Sequence, residues 1–179
     1  MRKKIYYLTG FMAAGKSTIG PILANTLGWN FLDLDKAIEE EEAMKITEIF
    51  ETKGEEYFRK KELEMLKEIS KKNHLIVALG GGTIVNRKNL KLLKETGRLI
   101  YLHSSPEIAY KRLVFKRNRP ALLFEGEEFP TKEQFLERIE SLMSDRKEYY
   151  EQADYFIDTD AEAVGKTVDK LARIIENDH

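Results

Sequence analysis

Gly10-Phe11-Met12-Ala13-Ala14-Gly15-Lys16-Ser17 is the stretch that decides the fold. It follows a short apolar run, Ile5-Tyr6-Tyr7-Leu8. It opens a segment with apolar residues at helical spacing, Ile19, Ile22, Leu23 and Leu27, closed by Gly28. The pattern G-x-x-x-x-G-K-[ST] between a strand and a helix lets backbone N–H groups wrap around phosphates where the helix dipole favours negative charge. Its four restricted positions would coincide by chance in fewer than about 1% of chains this long, so a ligand-free glycine turn is the weaker reading. Ala13, Ala14, Gly15 and Thr18 are therefore expected to line bound ATP. Lys16 is placed to reach the β- and γ-phosphates, and Ser17 to ligate Mg²⁺ through its hydroxyl. Pro21 removes a helical N–H near the second turn and is a candidate bend.

Working outward, β-rich runs near 3–9, 30–34, 74–79, 98–103 and 153–158 alternate with stretches of helical period. This is the α/β pattern of βαβ units and a parallel sheet covered on both faces. Leu63, Leu66 and Ile69 form a second helical stripe. Ser105-Pro106 has the chemistry of a helix start, while Thr131-x-x-Gln134 and Thr159-x-x-Glu162 have the spacing of capping boxes. The least regular segment, about 116–130, carries Arg117, Arg119, Pro120, Gly126 and Pro130 and is a candidate mobile loop.

A phosphate loop defines a donor, not a reaction. A GTPase would need Asn-Lys-x-Asp late in the chain, and Asn86-Arg87-Lys88-Asn89 is not that string. In Phe31-Leu32-Asp33-Leu34-Asp35, strand period puts both aspartates on one face at the carboxyl end, where open α/β sheets bind ligands. Asp33 would hold Mg²⁺ directly or through water, and Asp35 would accept the proton of an attacking hydroxyl, unless Asp35 only caps the helix that follows. Arg59 and Arg146 lie on or beside apolar stripes, so each asks for an anion: the carboxylate of a small molecule, or a neighbouring glutamate such as Glu62. Gly80-Gly81-Gly82 directly follows the third strand and would let backbone approach a ligand closely. Arg117 and Arg119 could close over a transferring phosphate or be solvated charge. His74, His103 and His179 form no ligand-spaced cluster.

The bulk properties narrow the class. At 179 residues the chain suits one domain. Its 30 basic and 31 acidic residues leave a net charge of -1, so no global field invites nucleic acid or a membrane surface. Without cysteine, disulfides, thiolate metal sites and a cysteine nucleophile are excluded. No apolar run approaches the 18 or so residues that span a bilayer. A cytoplasmic monomer is expected.

Taken together, the residues resemble shikimate kinase over essentially the whole chain. The motifs that carry the resemblance are GFMAAGKST, FLDLD, FRKKE at 58–62, LGGG at 79–82, RNRPALL at 117–123 and DRKEYYEQAD at 145–154. It implies a P-loop NTPase-like three-layer fold with a five-stranded parallel sheet in order 2-3-1-4-5. A lid near 113–130 and a substrate-binding helical region near 35–62 come with it. The implied activity is transfer of the γ-phosphoryl group of ATP to shikimate. By position, Asp35 resembles the residue that contacts the ring hydroxyls, Arg59 and Arg146 the pair that grips the carboxylate, and Glu62 the acid that supports them. Gly81 and its neighbour Gly82 resemble a backbone contact to the same substrate, Arg119 the lid arginine on the phosphates, and Arg112 a residue near adenine. Departures are Ala13, where a glycine is common, Glu148, where proline is frequent, and Ala163, where some members place an adenine-side arginine. Two other readings are a different small-metabolite or nucleoside monophosphate kinase of this fold, and an ATP-binding sensor without catalysis.

Overall fold

The computed structural model describes residues 4–114 and 130–178. Five strands form one sheet in the order β2-β3-β1-β4-β5: β1 Ile5–Thr9, β2 Asn30–Asp33, β3 Leu75–Ala78, β4 Arg98–His103 and β5 Tyr155–Asp158. All four pairings are parallel. The inner strands β1 and β3 are buried along their whole length, which is why they read as continuous apolar runs rather than as alternating ones. The edge strand β2 starts exposed and stays half-covered.

Among the described residues seven helices cover the sheet: α1 Lys16–Leu27, α2 Leu34–Glu42, α3 Ile46–Ile69, α4 Arg87–Thr96, α5 Pro106–Val114, α6 Lys132–Tyr150 and α7 Val164–Asn177. Ile19, Leu23 and Ala24 of α1 pack with Val168, Leu171 and Ile175 of α7 against one face of the sheet. Leu34 and Ile38 of α2, Leu66 and Ile69 of α3, and Leu90 and Leu93 of α4 fill the other. A smaller cluster of Phe11, Ala109, Leu113, Phe135 and Ile139 seats the loop after β1 on α5 and α6.

Most helix ends follow their local chemistry. Gly28 closes α1 in a left-handed conformation (φ 66°), with Trp29 N–H donating to the Ala24 carbonyl at 2.8 Å. Thr131 and Gln134 form the expected reciprocal capping box on α6, and the Ser105 hydroxyl accepts the Ile108 N–H at the start of α5. α1 runs through Pro21 without interruption. The pair Thr159 and Glu162 is not a capping box. α7 begins only at Val164, after Ala163, and the Thr159 hydroxyl donates instead to the His103 carbonyl at 2.8 Å. There a bond across the end of the sheet outweighs a local cap.

Parallel strands bring the carboxyl ends of β1, β2, β3 and β4 to one edge of the sheet. The loop 10–15, the Asp33–Asp35 junction and the glycines 80–82 all leave the sheet from that edge.

Candidate active site

The phosphate loop is assembled by backbone. Gly15 stands at φ 97° as α1 begins, and Ala14 N–H donates to the Phe11 carbonyl at 3.0 Å, making a tight turn over residues 11–14. Within that turn Ala13 takes φ 73°, a left-handed conformation usual for glycine, so alanine at this position costs backbone strain. The Lys16 ammonium donates to the carbonyls of Gly10 at 2.5 Å and Phe11 at 3.1 Å, which anchors its side chain along the loop. Thr18 is exposed on the first turn of α1.

The Ser17 hydroxyl donates to Asp33 Oδ2 at 3.1 Å. The other oxygen of Asp33 accepts Lys36 N–H at 3.2 Å, so Asp33, not Asp35, caps α2. The strand argument for the aspartates is thereby corrected. β2 ends at Asp33 and the helix starts at Leu34, so the two carboxylates meet at a strand-to-helix junction rather than by alternation. A hydroxyl and a carboxylate in contact, beside a phosphate loop, are the hard oxygen donors that fit Mg²⁺, a cation commonly held by one or two protein ligands plus substrate phosphates.

Asp35 makes no capping bond and is half-buried. Burial, followed by the charges of Asp33 and Glu62, pushes its carboxyl up to about 6, with Lys16 pulling the other way. Its room comes from the neighbouring strand: a Cβ on Gly80 would lie 2.6 Å from Asp35 Oδ1. The next two glycines repeat the relation. A Cβ on Gly81 would lie 3.2 Å from an Arg146 guanidinium nitrogen, and one on Gly82 would lie 2.9 Å from an Arg59 nitrogen. Three consecutive residues without side chains thus face Asp35, Arg146 and Arg59 in turn. The triplet is what lets the three groups converge.

The two arginines differ in their partners. Arg59 donates to Glu62 Oε1 at 3.0 Å and reaches Glu55 at 3.4 Å, so pairing with a glutamate, one of its two possible readings, holds here. Arg146 lies over the Phe11 ring, and one of its buried nitrogens has no hydrogen-bond partner among the described residues. A buried guanidinium nitrogen without an acceptor is a standing request for an anion. Glu62 is itself only 1% exposed. It is held by Thr83 Oγ1 at 2.7 Å and Asn89 Nδ2 at 2.9 Å in addition to Arg59.

Neither Thr83 nor Asn89 is a site residue that the sequence points to. The available signal was a polar residue, Asn89, adjoining the apolar positions Leu90 and Leu93 of α4. α3 also breaks its helical geometry at Gly54 (φ 84°), inside the expected substrate-binding region. Arg112 is held by backbone, donating to the carbonyls of Ala13 at 3.0 Å and Thr159 at 3.3 Å. Arg117, Arg119 and nearly all of the expected lid lie outside the described residues.

A cleft of about 570 Å³ runs from the phosphate loop past Asp33, Asp35, Gly80 and Gly81 on one side and Arg112, Thr159 and Glu162 on the other. Arg59 and Arg146 do not border it directly. They stand beside its glycine wall.

A parallel sheet of this order, with its phosphate loop at the mouth of the central strand and Asp33 and Asp35 lining the same cleft, is the arrangement of a P-loop phosphotransferase. A family profile described as shikimate kinase matches residues 12–176. Relatives named shikimate kinase include those of Chlorobium phaeobacteroides (43% identical, covering 96% of this chain and 86% of the relative) and Chloroherpeton thalassium (42%, covering 98% and 94%). Among solved structures, the Acinetobacter baumannii shikimate kinase in complex with shikimate superposes with a TM-score of 0.84 at 33% identity, covering 98% of this chain and 94% of that one. The chain belongs to the shikimate kinase family.

Proposed function

We propose that this protein transfers the γ-phosphoryl group of ATP to the 3-hydroxyl of shikimate, giving shikimate 3-phosphate and ADP, a step of aromatic amino-acid biosynthesis. The observation that carries the reading is the convergence of Asp35, Arg146 and Arg59 on the glycine triplet, one strand away from the phosphate loop. An acceptor with a carboxylate and ring hydroxyls matches that set of groups.

Ala13, Ala14, Gly15 and Thr18 cradle the phosphates, and the Lys16 ammonium turns from its loop carbonyls toward the β- and γ-oxygens. Ser17 and Asp33 are the residues that would hold Mg²⁺, whose chemistry is to neutralise phosphate charge as transfer proceeds. Arg146, with Arg59 held by Glu62, fixes the acceptor carboxylate, while Gly81 and Gly82 allow it to come close. Asp35 receives the proton of the attacking hydroxyl. As the oxygen-to-γ-phosphorus bond forms, the bond from that phosphorus to the β,γ-bridging oxygen breaks, and ADP leaves with the electron pair. A carboxyl with a pKa of about 6 is ionised at neutral pH, yet basic enough to take a proton in transit. Arg119 is proposed, on the resemblance, to reach the phosphates. The protein is proposed to act as a cytoplasmic monomer on a small molecule, without nucleic acid; no helix among the described residues is long and apolar enough to cross a membrane.

The test is ADP release with shikimate, quinate, gluconate and nucleoside monophosphates as acceptors. Turnover with shikimate alone is expected, and activity only with a nucleotide would make the protein a nucleotide kinase. ATP binding without turnover on any of these would favour a sensor. Shikimate methyl ester, which keeps the hydroxyls and loses the charge, should be a poor substrate. Equal turnover of ester and acid would show that neither arginine reads a carboxylate.

A further inference from the structure

We infer that Arg112 is a positioning residue for the phosphate loop, holding Ala13 in the left-handed conformation that the loop requires, rather than serving the nucleotide base alone. This inference rests on the loop being the ATP site. A turn with positive φ at its third residue ordinarily takes glycine or asparagine there, and the turn 11–14 has alanine, at φ 73°. Left to itself, an alanine favours negative φ, and that change would redirect the peptide linking residues 13 and 14. The Ala13 carbonyl is the atom that Arg112 grips, at 3.0 Å.

The grip is braced. Arg112 also donates to the Thr159 carbonyl at 3.3 Å and to Ser104 Oγ at 3.4 Å, and lies 3.7 Å from Asp160. Asp160 accepts Ser104 Oγ at 2.8 Å and Ser105 N–H at 2.6 Å, which fastens it to the end of β4 and the start of α5. What the turn in turn positions is Lys16. The Phe11 carbonyl accepts Ala14 N–H, closing the turn, and accepts the Lys16 ammonium as well. Where a glycine would hold the turn by its own conformational freedom, this chain has alanine plus an external tether.

The test is a double-mutant cycle of Arg112→Ala and Ala13→Gly, read with ATP turnover and with inorganic tripolyphosphate as a base-free competitor of ATP. Arg112→Ala should weaken tripolyphosphate and ATP alike, each by about ten-fold or more. Ala13→Gly in the Arg112→Ala background should recover part of the loss, about five-fold, because glycine adopts positive φ without help. Arg112→Lys should recover less, since an ammonium lacks the planar fork that spans Ala13 and Thr159. Loss confined to ATP, with tripolyphosphate binding intact and no rescue by glycine, would make Arg112 a base contact and overturn the inference. So would unchanged kinetics. Should Arg112→Ala fail to fold, Asp160→Asn loosens the brace while keeping the arginine, and the same glycine rescue decides. A wild type that neither binds tripolyphosphate nor turns over ATP would instead refute the ATP-site reading itself.

Discussion

The two halves of the site are built in opposite ways. The phosphate half, residues 10–18, is one continuous segment whose turn and lysine anchor are closed by hydrogen bonds within it, with the Ser17–Asp33 bond and the Arg112 tether reaching further along the chain. The acceptor half takes Asp35 from α2, Arg59 and Glu62 from α3, the glycines from the turn after β3, Asn89 from α4 and Arg146 from α6. Its bonds cross 21 residues between Glu62 and Thr83 and 27 between Glu62 and Asn89. A contiguous motif tolerates changes elsewhere in the chain, whereas a site gathered from five elements depends on every element being held in place. Variants in the first half are therefore predicted to act on ATP and its turnover and those at the two arginines on acceptor binding, with Asp35, which faces both, acting on turnover.

The largest effect should come from Lys16→Ala, which removes the positive charge aimed at the transferring phosphate. A loss on the order of 10³-fold in kcat is expected, with unchanged circular dichroism. Near-normal kcat would break the assignment of the donor half.

Asp35 stands where the halves meet. Asp35→Asn keeps the size and removes the base, and should cost on the order of 10²-fold in kcat. The same variant should lose the acidic limb of kcat/KM near pH 6 that the wild type is expected to show. Because Asp33 is the cap of α2, this loss should not come with a loss of helix stability.

Arg146→Ala or Arg59→Ala should raise KM for shikimate by roughly ten- to a hundred-fold while KM for ATP hardly moves. Arg146→Ala sharpens the comparison most, since its buried nitrogen has no partner among the described residues, whereas Arg59 is shared with Glu62 and Glu55. A matching rise in KM for ATP from either variant would mean that the halves are not separable. Both variants should also discriminate acid from ester less than the wild type does.

The smallest effect is on stability, and its sign follows from the direction of the shift. The Asp35 carboxyl is raised by burial above its unfolded value, so the folded protein disfavours the charged form. A penalty therefore develops as pH rises from about 4 to about 6 and is complete above that. Asp35→Asn removes it, and Tm without ligand should rise by about 2–5 °C at pH 8 and by nothing measurable below pH 4. Equal gains at both pH values would trace the change to packing instead of charge.

What the sequence by itself determined is the part encoded locally. The inner strands could be placed because buried parallel strands are written as apolar runs, and the less buried edge strands β2 and β5 by their short β-rich runs. The phosphate loop could be placed because its function lies in consecutive backbone groups that four residues enforce, and Gly28 and the Thr131–Gln134 box mark their own helix ends. Tertiary structure decided the rest. The Thr159-x-x-Glu162 spacing promised a cap, but Thr159 is within reach of the His103 carbonyl only once β4 and β5 lie side by side. Asp33 and Asp35 were expected together by strand alternation. They do meet, but at a helix start that the cap on Lys36 creates. The sequence marked Gly80, Gly81 and Gly82 as a place where backbone can approach a ligand closely, but not which groups stand against them, because a missing side chain means something only when another group comes to occupy its space, and Asp35, Arg146 and Arg59 are brought there by three different helices.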